Sequence, residues 1–159
     1  MPAFIVGRRT DILASNRLAR EVLPGFEALP ATQRNLARYY LLDPAARERV
    51  GDWERIPAET VAVLRLEAGR HPDDRRLAVR VPEFTTWWND RRVLRRTHGT
   101  KRYIHPVAGE LEFKYESFHL PGDPDQILAI YNVEPGSPTA EALRLLSSWT
   151  AAEERHAGR

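Results

Sequence analysis

From Glu110 to Glu116 the chain alternates without a break: Leu111, Phe113 and Tyr115 are apolar, while Glu110, Glu112, Lys114 and Glu116 are charged. A period of two sends the first set to one side of a strand and the second to the other. These seven residues commit the chain to a sheet with one wet face and one aromatic face that something else must cover. The surroundings agree. Val93 to His98 and Thr100 to His105 read as extended segments, and Ile127 to Val133 is apolar on both parities, as a central strand covered on both faces would be. Phe118 and Leu120 fall in the opposite parity, which predicts a bulge near Ser117. Pro121-Gly122-Asp123-Pro124-Asp125 predicts the turn that follows.

The cover is helical and comes from earlier in the chain. Ala3 to Val6 and Asp11 to Ala14 form a predicted hairpin about Gly7-Arg8-Arg9-Thr10. Asn16 then caps a brief helix that carries Leu18 and Val22 and ends at Pro24-Gly25. Leu36, Tyr39 and Tyr40 have helical spacing in a stretch predicted to start near Thr32 and to break at Asp43-Pro44, where Asp43 caps a new turn. A further helix is expected from about Pro57 to just before Gly69, with Val61, Leu64 and Ala68 facing inward. His71 to Asp74 is a polar connection, and Phe84, Trp87 and Trp88 recur at helical spacing. Ser137-Pro138 opens a last helix with Ala142, Leu145, Leu146 and Trp149 as its stripe. A leading strand pair, inserted helices, three antiparallel strands and a terminal helix make a PAS-like α+β fold, an antiparallel sheet with helices packed on one face.

The 159 residues are expected to form one domain over residues 1–150 with a short C-terminal tail over 151–159. No apolar run is long enough to cross a bilayer, and the N-terminus has no signal-peptide pattern, so the expected compartment is the cytoplasm and no membrane partner is expected. The absence of cysteine removes disulfides, thiolate metal sites and cysteine nucleophiles. Arginine outnumbers lysine 22 to 2, which lifts the pI although the formal net charge is only +2. Between Arg70 and Arg102 ten basic and four acidic residues leave a balance of +6, so the rest of the chain carries −4.

The residues offer little catalytic chemistry. His98, His105 and His119 are spaced by seven and fourteen, which matches no compact metal-ligand pattern. The five serines stand in no nucleophile-elbow context, and no glycine-rich phosphate loop follows a strand. No enzyme activity, metal or cofactor is expected. The basic run from Arg91 to Arg102 has three readings: a phosphate-binding surface, a solvated strand pair facing the chain's own carboxylates, or a source of one or two cations that turn inward to hold an anionic head group. Trp87-Trp88 and Tyr39-Tyr40 are core or pocket walls, which periodicity alone does not separate.

Five strings carry a resemblance: PAFIVGRRTDILASNRLA (Pro2 to Ala19), RNLARYYLLDPAARERVGDWE (Arg34 to Glu54), VAVLRLEAGRHPDD (Val61 to Asp74), THGTKRYIHPVAGELEFKYE (Thr97 to Glu116) and LAIYNVEPGSPTAEALRLL (Leu128 to Leu146). In this order they resemble the ligand-binding domain of the MmyB-like transcription regulators, actinobacterial proteins of the Xre type. The resemblance implies a PAS-like domain that follows an N-terminal helix-turn-helix and holds a fatty-acid-like ligand in its core. Pro2 already lies at the start of the family domain, so the expectation is that this chain lacks the helix-turn-helix and that DNA contact comes only through such a unit. The stretch from His71 to Phe84 is shorter than the family pattern, and Arg91 stands where a histidine would follow Trp88.

Burial of an acyl chain yields about 0.8 kcal/mol per methylene, but its carboxylate must still be held. The candidates for the head group are Arg38, His98, Lys101 and His105, with Asn35 as a hydrogen-bonding partner. The expected walls are Tyr39, Leu64, Trp87, Tyr103 and Tyr131. The leading expectation is thus a sensory module for a small apolar or acyl ligand. The alternative is a dimerisation or protein-interaction domain whose core is filled by its own side chains, with a second copy as partner.

Overall fold

A computed structural model describes residues 1–23, 25–26, 28–74, 89 and 98–157. Five strands form one antiparallel sheet: β1 (Ala3–Gly7), β2 (Ile12–Ser15), β3 (His98–His105), β4 (Gly109–Leu120) and β5 (Asp123–Asn132). Their order is β2-β1-β5-β4-β3, so the first and last strands of the chain meet in the middle. Between β2 and β3 come helices α1 (Arg17–Val22), α2 (Leu36–Leu42), α3 (Pro44–Arg49) and α4 (Arg55–Arg70), and α5 (Pro138–Ala157) closes the order. This is an α+β, PAS-like arrangement. The segment with Phe84, Trp87 and Trp88, and the extended stretch expected from Val93 to Thr97, lie outside the described residues.

Leu111, Phe113 and Tyr115 are buried and the four charged residues between them are exposed, as the alternation demands. Register decides the rest. Ser117 pairs regularly with Ala129 and stays on the inner face, while the shift comes later, between His119 and Leu120. The change of parity at Phe118 is therefore no bulge at Ser117: Phe118 lies on the outer face and is 46% exposed. The turn before β5 is also shorter than its Pro/Gly/Asp composition implies, since Asp123 already pairs with Leu120. The β5 strand is central in hydrogen bonding, yet residues 126–130 are only half-buried, so it is not fully covered on both faces.

Three polar side chains set the helices. Asn16 Oδ1 accepts from Ala19 N (2.9 Å) and starts α1. Asp43 ends α2 and caps α3, with Pro44 at the first helical position. Asn35 does the most. Its Oδ1 accepts from Arg38 N (2.9 Å) and Thr10 Oγ1 (3.2 Å), and its Nδ2 donates to Arg9 O (2.7 Å) and Asp11 Oδ1 (2.9 Å). The β1–β2 turn is thereby stitched to the start of α2. Thr10 in that turn has φ of 66°, an unusual conformation for a β-branched residue. Its oxygens accept from Leu36 N (2.9 Å) and Ala37 N (3.1 Å), which hold it there.

This stitch is why α2 begins at Leu36 rather than near Thr32: residues 31–33 form only a short 3-10 turn, and Asn35 must be extended to cap. The start of α4 also differs from the expected one. It begins at Arg55, and Pro57 sits within its first turn, where the missing N–H leaves no helical bond unmade.

The helices α2 and α4 lie over the aromatic face of the sheet, and Tyr40 and Ile56 join Phe4, Tyr103, Phe113, Tyr115 and Tyr131 in one core. The start of the last helix, α5, meets β4 before its pairing with β5 begins at Lys114, where Glu112 N donates to Thr139 Oγ1 (3.0 Å), and the helix meets α1 through Arg17, which donates to Ser147 O and Oγ.

The Asn35→Ala variant removes a helix cap and leaves buried partners unpaired. The expected cost is about 2–3 kcal/mol, read as a lower urea midpoint at unchanged m-value.

Candidate functional site

Under α2 and α4 the sheet does not fill its own face. Small residues at β4 and β5, Ser117 and Ala129, leave a cavity of about 150 Å³. Its floor is Phe4, Val6, Tyr115, Ile127 and Tyr131, and its roof is Leu36, Tyr40, Ile56, Thr60 and Val63, with Thr10, Glu59 and Lys101 as the other polar contributors. The space corresponds to roughly ten water-sized groups at about 10–15 Å³ each.

Lys101 is the chemically distinctive group here. Its Nζ donates to Tyr131 Oη (3.3 Å) and lies 4.9 Å from the Tyr115 ring centre and 5.5 Å from that of Tyr131. No ion pair among the described residues includes it, so aromatic faces and one phenol are its company. Burial works against its charge, but the oxygens of Tyr131 and Tyr40 and the Tyr131 hydrogen bond outweigh it, and its affinity for a proton is raised above that of an ordinary lysine. The ammonium therefore persists at neutral pH. Gly99 makes the Tyr115 position possible: a Cβ at Gly99 would stand 2.9 Å from Tyr115 Cε1, so the ring needs the glycine beneath it.

Behind Tyr131 runs a chain of phenols. Tyr131 and Tyr103 are joined at 3.1 Å, and Tyr103 and Tyr40 at 2.8 Å. Burial pushes Tyr40 and Tyr103 well above the usual phenol range, so both keep their protons. At the rim, Glu59 is paired with Arg55 (3.0 Å), which also holds Asp52 (2.9 Å).

Of the residues expected from sequence to hold a ligand, Lys101 and Tyr131 meet at this cavity, and Tyr103 stands one hydrogen bond behind it. Leu64 is fully buried in α4 but is not in the lining. Arg38 and Tyr39 line a different groove with Phe26 and Leu29. Asn35 spends its amide on the stitch described above, and His98 is exposed at the start of β3. His105 is buried; its Nδ1 accepts from Val107 N (3.2 Å) and Ala108 N (3.0 Å), and the ring bonds the Glu21 carbonyl. Trp87 lies outside the described residues. Within the basic run, Lys101 turns inward while Arg102 turns out and pairs with Asp52 (2.7 Å). Tyr40, read from sequence as core or pocket wall, is both buried and in the lining. The sequence reasoning missed Phe4, Thr10, Glu59, Ser117 and Ala129; for Ser117 and Ala129, strand parity extended from Tyr115 and back from Tyr131 held that information.

A family profile described as the MmyB-like transcription regulator ligand binding domain matches residues 1–146. The chain belongs to this family. It is a ligand-binding domain of the transcription-regulator class, and no curated protein sequence matches it. Among the described residues of this MmyB-like domain no helix is long and apolar enough to cross a membrane. The family is one of regulator domains rather than of enzymes.

Burial lowers the affinity of His105 for a proton, and protonation would also cost the two amide bonds at Nδ1. Its contribution to stability is therefore present above the ordinary histidine range, about pH 6.5, and is lost as pH falls below it. The His105→Asn variant, whose Oδ1 can serve the same amides without titrating, is expected to lose less stability than the parent between about pH 7.5 and pH 5. Urea midpoints at the two pH values check this.

Proposed function

We propose that this MmyB-like domain is the sensory part of a cytoplasmic transcription regulator and that it binds a medium-length acyl acid in the cavity under α2 and α4. The observation that carries the reading is Lys101, a persistent ammonium in an apolar, aromatic cavity with no carboxylate partner among the described residues. Lys101 is half-buried, and a cation partly withdrawn from water without a counter-ion carries a desolvation cost. The Tyr115 and Tyr131 faces offset part of that cost, by about 0.5–2 kcal/mol each, and an acidic head group would complete it. Each methylene buried in the cavity contributes a gross gain of about 0.8 kcal/mol before the costs of ordering. Arg38, His98 and His105 are directed to other partners or to solvent, so the head group falls to Lys101, with Tyr131 beside it. Binding would shift the domain between two packings and so bias a helix-turn-helix unit, which supplies the DNA contact.

An interaction role is the second reading, favoured by Leu145 (50% exposed) and Trp149 (53% exposed), four residues apart on α5. A homodimer through that helix is its simplest form.

Native mass spectrometry of the purified protein, followed by solvent extraction, separates the two. A bound acid at unit stoichiometry, or uptake of added decanoate, is expected. The Lys101→Met variant should weaken decanoate by about tenfold or more, the loss of one charge-assisted hydrogen bond. A mass that stays ligand-free with decanoate present, together with a dimer that Trp149→Ser dissolves, would favour the interaction role instead.

A further inference from the structure

Lysine can only donate hydrogen bonds, whereas each phenol gives one proton and accepts at its oxygen. In the contact between Lys101 Nζ and Tyr131 Oη the oxygen is therefore the acceptor. The three phenols then have two orders in which the protons run one way along the chain, besides one in which Tyr103 accepts from both neighbours and its own proton is left over. Protons can run away from the lysine, Tyr131 to Tyr103 to Tyr40, which leaves the Tyr40 proton without an acceptor among the described residues. Or they can run toward it, Tyr40 to Tyr103 to Tyr131, which aims the Tyr131 proton into the cavity beside an ammonium. A group that both gives and accepts, water included, serves either order and forces neither. An acceptor-only group beside Lys101 selects the second order, and every donor in the chain is then used.

From this geometry we infer that the Tyr40–Tyr103–Tyr131 chain is a directional read-out of the head group beside Lys101: an acceptor-only acidic group turns all three phenol protons toward the cavity and changes the bond that ties α2 to the sheet. An alcohol both gives and accepts, so it is served by either order and forces neither. The chain thus distinguishes acid from alcohol at a residue, Tyr103, that does not line the cavity, and passes the distinction to Tyr40 on α2. Cooperative polarisation along hydrogen-bonded hydroxyls strengthens the effect. This inference rests on the cavity reading above and adds to it a route by which occupancy reaches a helix.

The test uses the full chain with its tyrosines labelled at 13Cζ. There are five tyrosines, so each resonance can be assigned by a Tyr→Phe variant. Decanoate and 1-decanol serve as probes, with binding followed by native mass spectrometry. Decanoate is expected to move the Tyr103 resonance as well as that of Tyr131, whereas decanol leaves Tyr103 in place. In Tyr103→Phe, the response of Tyr40 to decanoate should collapse to its response to decanol; in Tyr131→Phe, decanoate should no longer move Tyr103. Binding of decanoate that moves Tyr131 but not Tyr103 overturns the read-out and leaves the cavity reading standing. Equal movement of Tyr103 by acid and alcohol overturns it too. If neither probe binds, the cavity reading falls and takes the read-out with it.

Discussion

Three phenols buried against one another hold this domain together. The inner face of the sheet is aromatic, and aromatic residues that carry hydroxyls cannot be buried without partners for those hydroxyls. Tyr40, Tyr103 and Tyr131 solve the problem among themselves, one from α2, one from β3 and one from β5. Because a phenol is rigid and its oxygen sits far from the backbone, joining three of them at about hydrogen-bonding distance fixes how far α2 stands from the sheet. That spacing leaves the cavity toward β1 and β5, where Ser117 and Ala129 are too small to close it.

The stitch at Asn35 works on the same helix from its other end. It ties the first turn of α2 to the β1–β2 turn and holds Thr10 in its left-handed conformation, at the rim of the cavity. A helix held at its N-terminus by a satisfied amide and at its inner face by a hydroxyl chain has little freedom except in that chain. The element that covers the cavity is thus anchored to the sheet through polar contacts, while apolar packing supplies the bulk of the stability.

Much of the fold was legible in the sequence because its signals are local. The alternation from Glu110 to Glu116, the caps at Asn16 and Asp43 and the helical stripe of Leu36, Tyr39 and Tyr40 each depend on residues within a turn or two. The misread features have causes that lie outside the local pattern. Asn35 starts α2 late because it is pulled extended toward Arg9, Thr10 and Asp11, and Phe118 departs from the alternation because the outer face tolerates it, not because the strand is broken. The candidate site was legible only in part for the same reason. Lys101 lies inside a basic run whose sign suggests a surface. Only the register of β3 against β4, with Lys101 opposite Phe113, turns it inward.

By itself the sequence determined the sheet, its wet and covered faces, the positions of most helices and the family to which the chain belongs. Those follow from periodicity, capping and ordered motifs, which are properties of neighbouring residues. Only the tertiary structure decided that Lys101 stands alone among rings, that Tyr103 lies behind the cavity rather than in its wall, and that Asn35 and His105 serve the fold. Pairings between different elements settle such matters, and a hydrogen bond between Tyr40 and Tyr103, 63 positions apart, leaves no periodic trace in the chain that makes it.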